Sequence, residues 1–316
     1  MSRKKIALIG AGNIGSTIAN VILLKNLGDV VLFDLNEGLA KGKALDLAQS
    51  SFVCKNDVNI IGTNNYEDIK NSDVIIVTAG VPRKPGMSRD DLVEVNTKVM
   101  IDVGKNIAKY SPKSFVICVT NPLDVMVWAL QEASQIPHNM LVGMAGILDS
   151  GRFALFLSQE LNVAISSIEA LVLGGHGDSM VPLLNHSTVG GLSINELIKL
   201  GKISQEKVDA IVDRTRKGGG EIVNLMGSSA YFHPAASAIM MAESYLFDKK
   251  QVLPFAAYVK DGQYGVKGLY VGVTAVIGAG GCEDIIELNI DATEKANLDV
   301  SIQAVKDLIE VAKKFF

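Results

Sequence analysis

A histidine between two glycines is the residue of this sequence best suited to move a proton. His176 lies in the run Gly174–Ser179, and the glycines beside it leave the ring open to a cofactor or a substrate. An imidazole titrates near neutral pH, so it can take a proton from a hydroxyl group and return it. His138 and His233 each adjoin a proline and His186 has no companion motif, so we interpret these three as structural.

A carboxylate is expected near such a histidine, because a catalytic imidazole usually needs a group that orients it. Asp149 is the candidate, in the run Leu148–Arg152. Residues three apart share one face of a helix, so Asp149 and Arg152 are expected to line one cleft. Taken alone, the two residues would be better interpreted as a surface ion pair.

Two further arginines lie in a segment rich in proline and glycine, Gly80–Arg89. This composition predicts a loop, and the loop follows a predicted strand, where a parallel sheet binds its ligands. Arg83 and Arg89 offer guanidinium groups that suit carboxylates, and the loop has the composition of a hinged lid. A solvated basic loop explains the segment equally well when it is taken alone.

A second strand end at the expected ligand edge carries Val119, Thr120, Asn121 and Pro122. The side chain of Asn121 has both a donor and an acceptor. It is therefore a candidate to bind a carboxamide or a hydroxyl group.

A glycine-rich turn after the first predicted strand is typical of dinucleotide binding. Its GxGxxG motif consists of Gly10, Ala11, Gly12, Asn13, Ile14 and Gly15. The glycines allow a tight turn, close approach of a pyrophosphate and tight helix packing, and the helix N-terminus then faces the phosphates. Asp34 lies 19 residues after Gly15, where a carboxylate binds the ribose 2′-hydroxyl group. A carboxylate there repels a 2′-phosphate, so the sequence favours NAD over NADP.

Strands and helices alternate around these motifs in the first half of the chain. Short runs rich in valine and isoleucine predict strands at Lys5–Gly10, Val30–Asp34, Val58–Gly62, Val74–Ala79, Ser114–Thr120 and Met140–Gly143. Helical patterns lie between them, at Ile14–Lys25, Leu39–Gln49 and Leu92–Tyr110. The predicted fold class is therefore α/β, with an N-terminal Rossmann domain built on a doubly wound parallel sheet.

The pattern changes near residue 145, and the second half predicts a C-terminal mixed α+β substrate domain. Helices are expected at Ile147–Leu161, Ser204–Asn224 and Thr293–Phe316, and strands at Tyr258–Gly262 and Gly268–Ile277. No proline- or serine-rich linker marks the border, so we expect two tightly joined domains, 1–145 for NAD binding and 146–316 for the substrate.

Composition limits the partners of the chain. It has 30 basic and 34 acidic side chains, a formal charge of −4, which gives no global attraction to nucleic acid or to an anionic membrane. Its cysteines, Cys54, Cys118 and Cys282, are scattered and form no metal-binding spacing. We therefore expect a cytoplasmic protein with no metal site.

Together, these motifs resemble the lactate/malate dehydrogenase family, and within it the malate dehydrogenases of the lactate-dehydrogenase type. The resemblance covers nearly the whole chain, and its motifs occur in the order of the family: Gly10–Gly15, Asp34, Arg83–Arg89, Val119–Pro122, Asp149–Arg152 and Gly175–Ser179. It implies an NAD-dependent enzyme of the tricarboxylic acid cycle, a homodimer or homotetramer, that interconverts (S)-malate and oxaloacetate.

The resemblance also implies a role for each site residue. His176 accepts the hydroxyl proton, and Asp149 stabilises the charged ring. Arg152 binds the C1 carboxylate, Arg89 closes over the reacting carbonyl, and Asn121 contacts the substrate. The implied cofactor contacts are Gly10, Ala11, Gly12, Asn13, Ile14, Gly15, Asp34, Asn96, Val119, Thr120 and Asn121.

Arg83 is the residue that favours malate, because the similar lactate enzymes typically carry glutamine there. An arginine left unpaired by an uncharged substrate costs roughly 2–5 kcal/mol, or about 30-fold to several thousand-fold in affinity. A dehydrogenase for L-lactate or another 2-hydroxyacid remains the nearest alternative. A non-catalytic NAD-binding regulator is a more remote alternative, because it would need none of the catalytic groups. Tyr245 and Lys249 have the spacing found in short-chain dehydrogenases, but the chain lacks the glycine motif of that family.

Overall fold

A nine-stranded sheet forms the centre of the computed structural model, which describes residues 3–82 and 89–316 and only the backbone of Arg89. The strands are β1 (Lys5–Ile9), β2 (Asp29–Phe33), β3 (Ile60–Thr63), β4 (Val74–Val77), β5 (Phe115–Cys118), β6 (Leu141–Gly143), β7 (Ile168–Glu169), β8 (Val172–Leu173), β9 (Val181–Pro182), β10 (Thr188–Val189), β11 (Leu192–Ser193), β12 (Gln251–Val259), β13 (Leu269–Gly278) and β14 (Gly281–Ile285). The helices are α1 (Asn13–Lys25), α2 (Glu37–Cys54), α3 (Arg89–Tyr110), α4 (Leu123–Ser134), α5 (Gly146–Leu161), α6 (Ile194–Lys199), α7 (Gln205–Met226), α8 (Phe232–Leu246) and α9 (Ala292–Ala312). Within the two described ranges, no helix is long and apolar enough to cross a membrane.

The six strands β1 to β6 form the parallel sheet expected from the sequence, in the order β3-β2-β1-β4-β5-β6. Successive residues of β4 and β5 point to opposite faces, and all of them are buried, so both faces of the sheet are covered. The strand order reverses between β1 and β4: successive strands before this point are added toward β3, and those after it toward β6. The carboxyl ends of these two strands therefore form the edge where a doubly wound sheet binds its ligand.

In the second half of the chain, three strands extend this sheet, and the others form two small separate sheets, β11-β10-β7 and β8-β9. Strands β12, β13 and β14 pair antiparallel with one another, and β12 joins β6 through Ala256 and Gly143. The predicted α/β class, with a parallel Rossmann sheet and a mixed second half, is confirmed. The tight joint between the halves has a physical cause, because they share one sheet.

Helix α5 lies where the second half meets the sheet. It packs against β12 on one side and against α7 on another. Its apolar residues Phe153 and Leu157 enter a second hydrophobic core together with Ile168, Ile194 and Val208. This packing fixes the helix whose first turns carry Asp149 and Arg152.

The predicted strand at Tyr258–Gly262 is wrong in its bounds, and helix α8 was not predicted. Strand β12 starts seven residues earlier, at Gln251, and ends at Val259. Prolines obscured both elements. Pro234 lies in the first turn of α8, where a missing N–H group costs little, and Pro254 is tolerated because β6 pairs with β12 only at Ala256.

Candidate active site

The glycine-rich turn between β1 and α1 has the shape of a phosphate cradle. Gly10 has a φ of +113°, which side-chain-bearing residues rarely adopt, and a Cβ on Gly15 would lie 1.9 Å from the Gly10 carbonyl oxygen. Gly12 faces open space among the described residues, and none of their side chains caps the first N–H groups of α1. Those N–H groups remain available to an anion, so the turn fits the pyrophosphate of a dinucleotide.

The carboxylate of Asp34 is held at the end of β2, beside the turn. Its Oδ2 accepts the Ala11 N–H group at 2.8 Å, and its Oδ1 accepts the Asn36 N–H group at 2.9 Å. Lys43 of α2, which sequence reasoning did not select, donates from Nζ to the Ala11 carbonyl oxygen at 2.8 Å and to Ser16 Oγ at 3.2 Å. Lys43 thus stabilises the turn. Nothing in the sequence around Lys43 indicated this contact.

The segment that follows β5 reaches the same edge of the sheet. Thr120 Oγ1 donates to the Ala79 carbonyl oxygen at 2.6 Å, and the Asn121 side chain is exposed. Buried Asn96 donates from Nδ2 to the Asn121 carbonyl oxygen at 2.7 Å, and its Oδ1 accepts the Val81 N–H group at 2.8 Å. Asn96 therefore ties the strand ends of β4 and β5 together through their backbone.

The predicted partnership of His176 and Asp149 is present as a direct hydrogen bond. The distance from His176 Nδ1 to Asp149 Oδ2 is 2.8 Å, and Asp149 is only 2% exposed. Burial opposes a charged ring, but the Asp149 carboxylate outweighs it and raises the pKa of His176 above its ordinary value. The bond occupies Nδ1, so the other ring nitrogen, Nε2, is the one that can meet a further partner.

Arg152 binds the other oxygen of the same carboxylate, with Nη1 3.3 Å from Asp149 Oδ1. Burial lowers the pKa of Arg152, and Asp149 offsets part of that effect. Two glycines of α7 make room for the side chain: a Cβ on Gly218 would lie 3.1 Å from Arg152 Cδ, and one on Gly219 3.5 Å from Nη2. The guanidinium group is thus desolvated and still has hydrogen-bonding capacity for a ligand.

The loop that carries His176 is fixed through its backbone. The successive N–H groups of Gly174–His176 donate, in order, to the Gly272 carbonyl oxygen, Ser301 Oγ and Asp124 Oδ2, at 2.8, 2.8 and 2.9 Å. Three separate elements, β13, α9 and α4, therefore position the histidine. Sequence reasoning missed Asp124, which lies only three residues after Asn121 in the first turn of α4.

His233 is not an ordinary loop residue. It lies in the first turn of α8, and a Cβ on Gly151 would contact its ring at 2.6 Å. Burial, and then the charge of Arg152, lower the pKa of His233, while Asp149 acts in the opposite direction. The ring is therefore a neighbour of the site, and its proline-adjacent position in the sequence gave no signal of this.

The two loop arginines fall outside what the structure describes. Arg83 lies in the gap between the described ranges, and Arg89 begins α3 with no description of its side chain. Their predicted roles toward carboxylates therefore stay predictions. Of the described residues predicted for catalysis or substrate binding, the structure brings His176, Asp149 and Arg152 into direct contact, and Asp124 links them to the segment after β5.

Family models match almost the whole chain. Residues 4–143 match the lactate/malate dehydrogenase NAD binding domain, and residues 147–316 match the lactate/malate dehydrogenase alpha/beta C-terminal domain. The chain belongs to the lactate/malate dehydrogenase family. The predictions of this family, of an NAD-dependent oxidoreductase and of NAD as its cofactor are confirmed.

Lactate/malate dehydrogenases of several organisms are similar to the chain over almost their whole length. A curated malate dehydrogenase of Methylobacterium radiotolerans is 59% identical over 314 residues, 99% of this chain and 98% of that protein. The crystal structure of Cryptosporidium parvum malate dehydrogenase is 48% identical with a TM-score of 0.96, covering 99% of each chain. The lactate dehydrogenase of the same organism, complexed with lactic acid and nicotinamide adenine dinucleotide, is 46% identical with a TM-score of 0.96, also covering 99% of each chain.

Proposed function

We propose that this protein catalyses the reversible oxidation of (S)-malate to oxaloacetate with NAD. The observation that carries the proposal is the Asp149 carboxylate, which binds the ring of His176 and the guanidinium group of Arg152 at once. A proton acceptor and a cation for a carboxylate therefore lie side by side, near the cofactor edge of the sheet. The similarity to a curated malate dehydrogenase favours malate over lactate.

His176 handles the proton in this reaction. Because Asp149 holds Nδ1, the ring presents Nε2 to the C2 hydroxyl group and takes its proton as malate is oxidised. The imidazolium ion that forms is stabilised by the buried Asp149 carboxylate. When bound, NAD would supply the acceptor for the C2 hydride, and the protein supplies orientation and charge.

The arginines hold the substrate. Arg152 binds the C1 carboxylate through the part of its guanidinium group that Asp149 leaves free. Arg83 pairs with the second carboxylate, and Arg89 polarises the reacting carbonyl. Asn121, exposed at the end of β5, contacts the substrate from the cofactor side.

The cofactor contacts follow the edge of the sheet. The Gly10–Gly15 turn takes the pyrophosphate, and the Asp34 carboxylate takes the adenosine ribose, which favours NAD over NADP. Val119, Thr120 and Asn121 line the nicotinamide, and Asn96 contributes by holding that segment in place.

Substrate choice tests the proposal. Oxaloacetate should be reduced by NADH with a kcat/KM at least 30-fold above that for pyruvate, because Arg83 is left unpaired by a methyl group. Arg83→Gln should narrow this ratio, mainly by raising KM for oxaloacetate. The control is Lys84→Gln in the same loop, which removes a charge that we assign no role. Equal activity on the two substrates in the unmodified protein would exclude malate as the preferred substrate.

Domain organisation and assembly complete the proposal. We propose a division at residues 145 and 146, which the limits of the two family matches support.

A cytoplasmic location is supported by three unpaired cysteines. A homodimer or homotetramer is supported by the apolar side chains that α2 exposes, Leu45, Phe52 and Val53, since a patch of this kind usually marks a protein interface.

A further inference from the structure

A buried carboxylate to which the proposed reaction assigns no role lies next to His176 and binds its backbone. Asp124 is 6% exposed, and its Oδ2 accepts the His176 N–H group at 2.9 Å. Its Oδ1 is buried and has no hydrogen-bond partner among the residues that the structure describes. A buried carboxylate with one unpaired oxygen is costly, which argues that the chain keeps it for a purpose other than stability.

The surroundings of Asp124 contain few charges. It lines a small cavity whose far wall is apolar, formed by Ala304, Val305 and Leu308 of α9. The titratable groups that act on it are His176 and Asp149, and it acts in turn on the buried thiol of Cys118. Asp124 therefore acts on the histidine through its charge as well as through the backbone hydrogen bond.

We propose that Asp124 is a positioning residue for the proposed reaction: its ionised carboxylate fixes the backbone of His176 and favours the protonated ring. The glycines that flank His176 give the loop little rigidity of its own, so these hydrogen bonds set where the ring points. A hydrogen bond to a charged acceptor is roughly twice as strong as a neutral one. The ionised form of Asp124 should therefore hold the ring better than the protonated form.

The ionisation of Asp124 falls in an accessible range. Burial raises the pKa of Asp124 to about 6, against the opposing effects of the His176 N–H group and ring. Below that pH the carboxylate is neutral and the anchor weakens. The protein thus contains a second group that titrates close to the catalytic histidine.

The pH dependence of oxaloacetate reduction distinguishes the titration of Asp124 from that of His176. Oxaloacetate reduction needs protonated His176, and lowering the pH only increases that form. A fall of kcat for reduction below about pH 6 therefore reports Asp124 and not the histidine. This inference rests on the proposed function.

The experiment is a pH profile of kcat for oxaloacetate reduction by NADH, for the unmodified protein and Asp124→Asn. The asparagine keeps an acceptor oxygen and removes the charge. We expect Asp124→Asn to have a roughly 5- to 10-fold lower kcat near pH 7 and an almost unchanged KM. It should also lose the acid limb of the profile, which is the fall of kcat below about pH 6. The basic limb should shift to lower pH, because Asp124 no longer favours protonated His176.

Asp307→Asn, an exposed change on α9, is the control for net charge and should keep both limbs. Asp124→Ser, which places its hydroxyl group too far away to replace the acceptor, should lower kcat further, to about 10²-fold. If Asp124→Asn keeps an acid limb near pH 6 while the unmodified protein is active, the inference is overturned and the function stands. If the unmodified protein does not reduce oxaloacetate, the proposed function is overturned and the inference with it.

Discussion

At the scale of single residues, Asp149 is the centre of the site because its two oxygens bind two different basic side chains. One oxygen orients His176 and the other contacts Arg152. At 2% exposure, this carboxylate would be costly without both partners. The same burial makes its effect on the imidazole strong, since charges interact more strongly away from water.

Asp149→Asn should lower kcat on the order of 10²-fold or more while changing the fold little. The pKa of His176, raised by Asp149, should fall, so the loss of reductase activity with rising pH should begin at a lower pH. The measurement is kcat for oxaloacetate reduction between pH 5 and 10. His176→Asn is the reference variant and should be almost inactive; full turnover by it would contradict the assignment of His176 as the proton acceptor.

At the scale of elements, the site is assembled by helices and strands that are far apart in sequence. The Rossmann motif and the pairing of His176 with Asp149 could be predicted, because each depends on a local pattern or on a residue type that needs a partner. Asp124 and His233 could not. An aspartate in the first turn of α4 has an ordinary explanation in the helix dipole, and its contact with His176 depends on tertiary packing.

The glycines of helix α7 reflect the presence of a residue from another helix, Arg152 of α5. Gly218, Gly219 and Gly220 lie inside this helix, although glycine costs roughly 1 kcal/mol there relative to alanine. Gly218 and Gly219 face Arg152, whereas no atom of the described residues lies within 4 Å of a Cβ on Gly220. The first two glycines therefore give the arginine and its ligand space at the expense of helix stability.

Gly219→Ala should raise KM for oxaloacetate several-fold, because its methyl group would occupy space beside Arg152 Nη2. The same change should raise the melting temperature by a few degrees, since alanine favours the helix. Gly220→Ala is the matched control, with the thermal gain and no change in KM. A loss of stability in Gly219→Ala would instead assign this glycine a packing role.

At the scale of the whole molecule, the net charge does not predict the charge of the groups that would meet the ligand. The chain carries a net charge of −4, yet Arg152 is buried beside the proposed substrate position, and the predicted loop arginines would add to it. Net charge therefore says little about the ligand, because buried groups are screened less than surface groups. The described surface also has an apolar region on α2, where Phe52 and Val53 are 79% and 77% exposed.

Phe52→Glu should weaken assembly of the proposed oligomer. In an interface the apolar ring is removed from water, and a buried unpaired carboxylate there is strongly unfavourable. Sedimentation velocity should give a multiple of 33.7 kDa for the unmodified protein and a shift toward the monomer for the variant. Leu200→Glu, at an apolar position after α6 that is 57% exposed, is the control and should keep the assembly. A monomeric unmodified protein at micromolar concentration would contradict the proposed oligomer, whereas an oligomer that survives Phe52→Glu would place the interface away from α2.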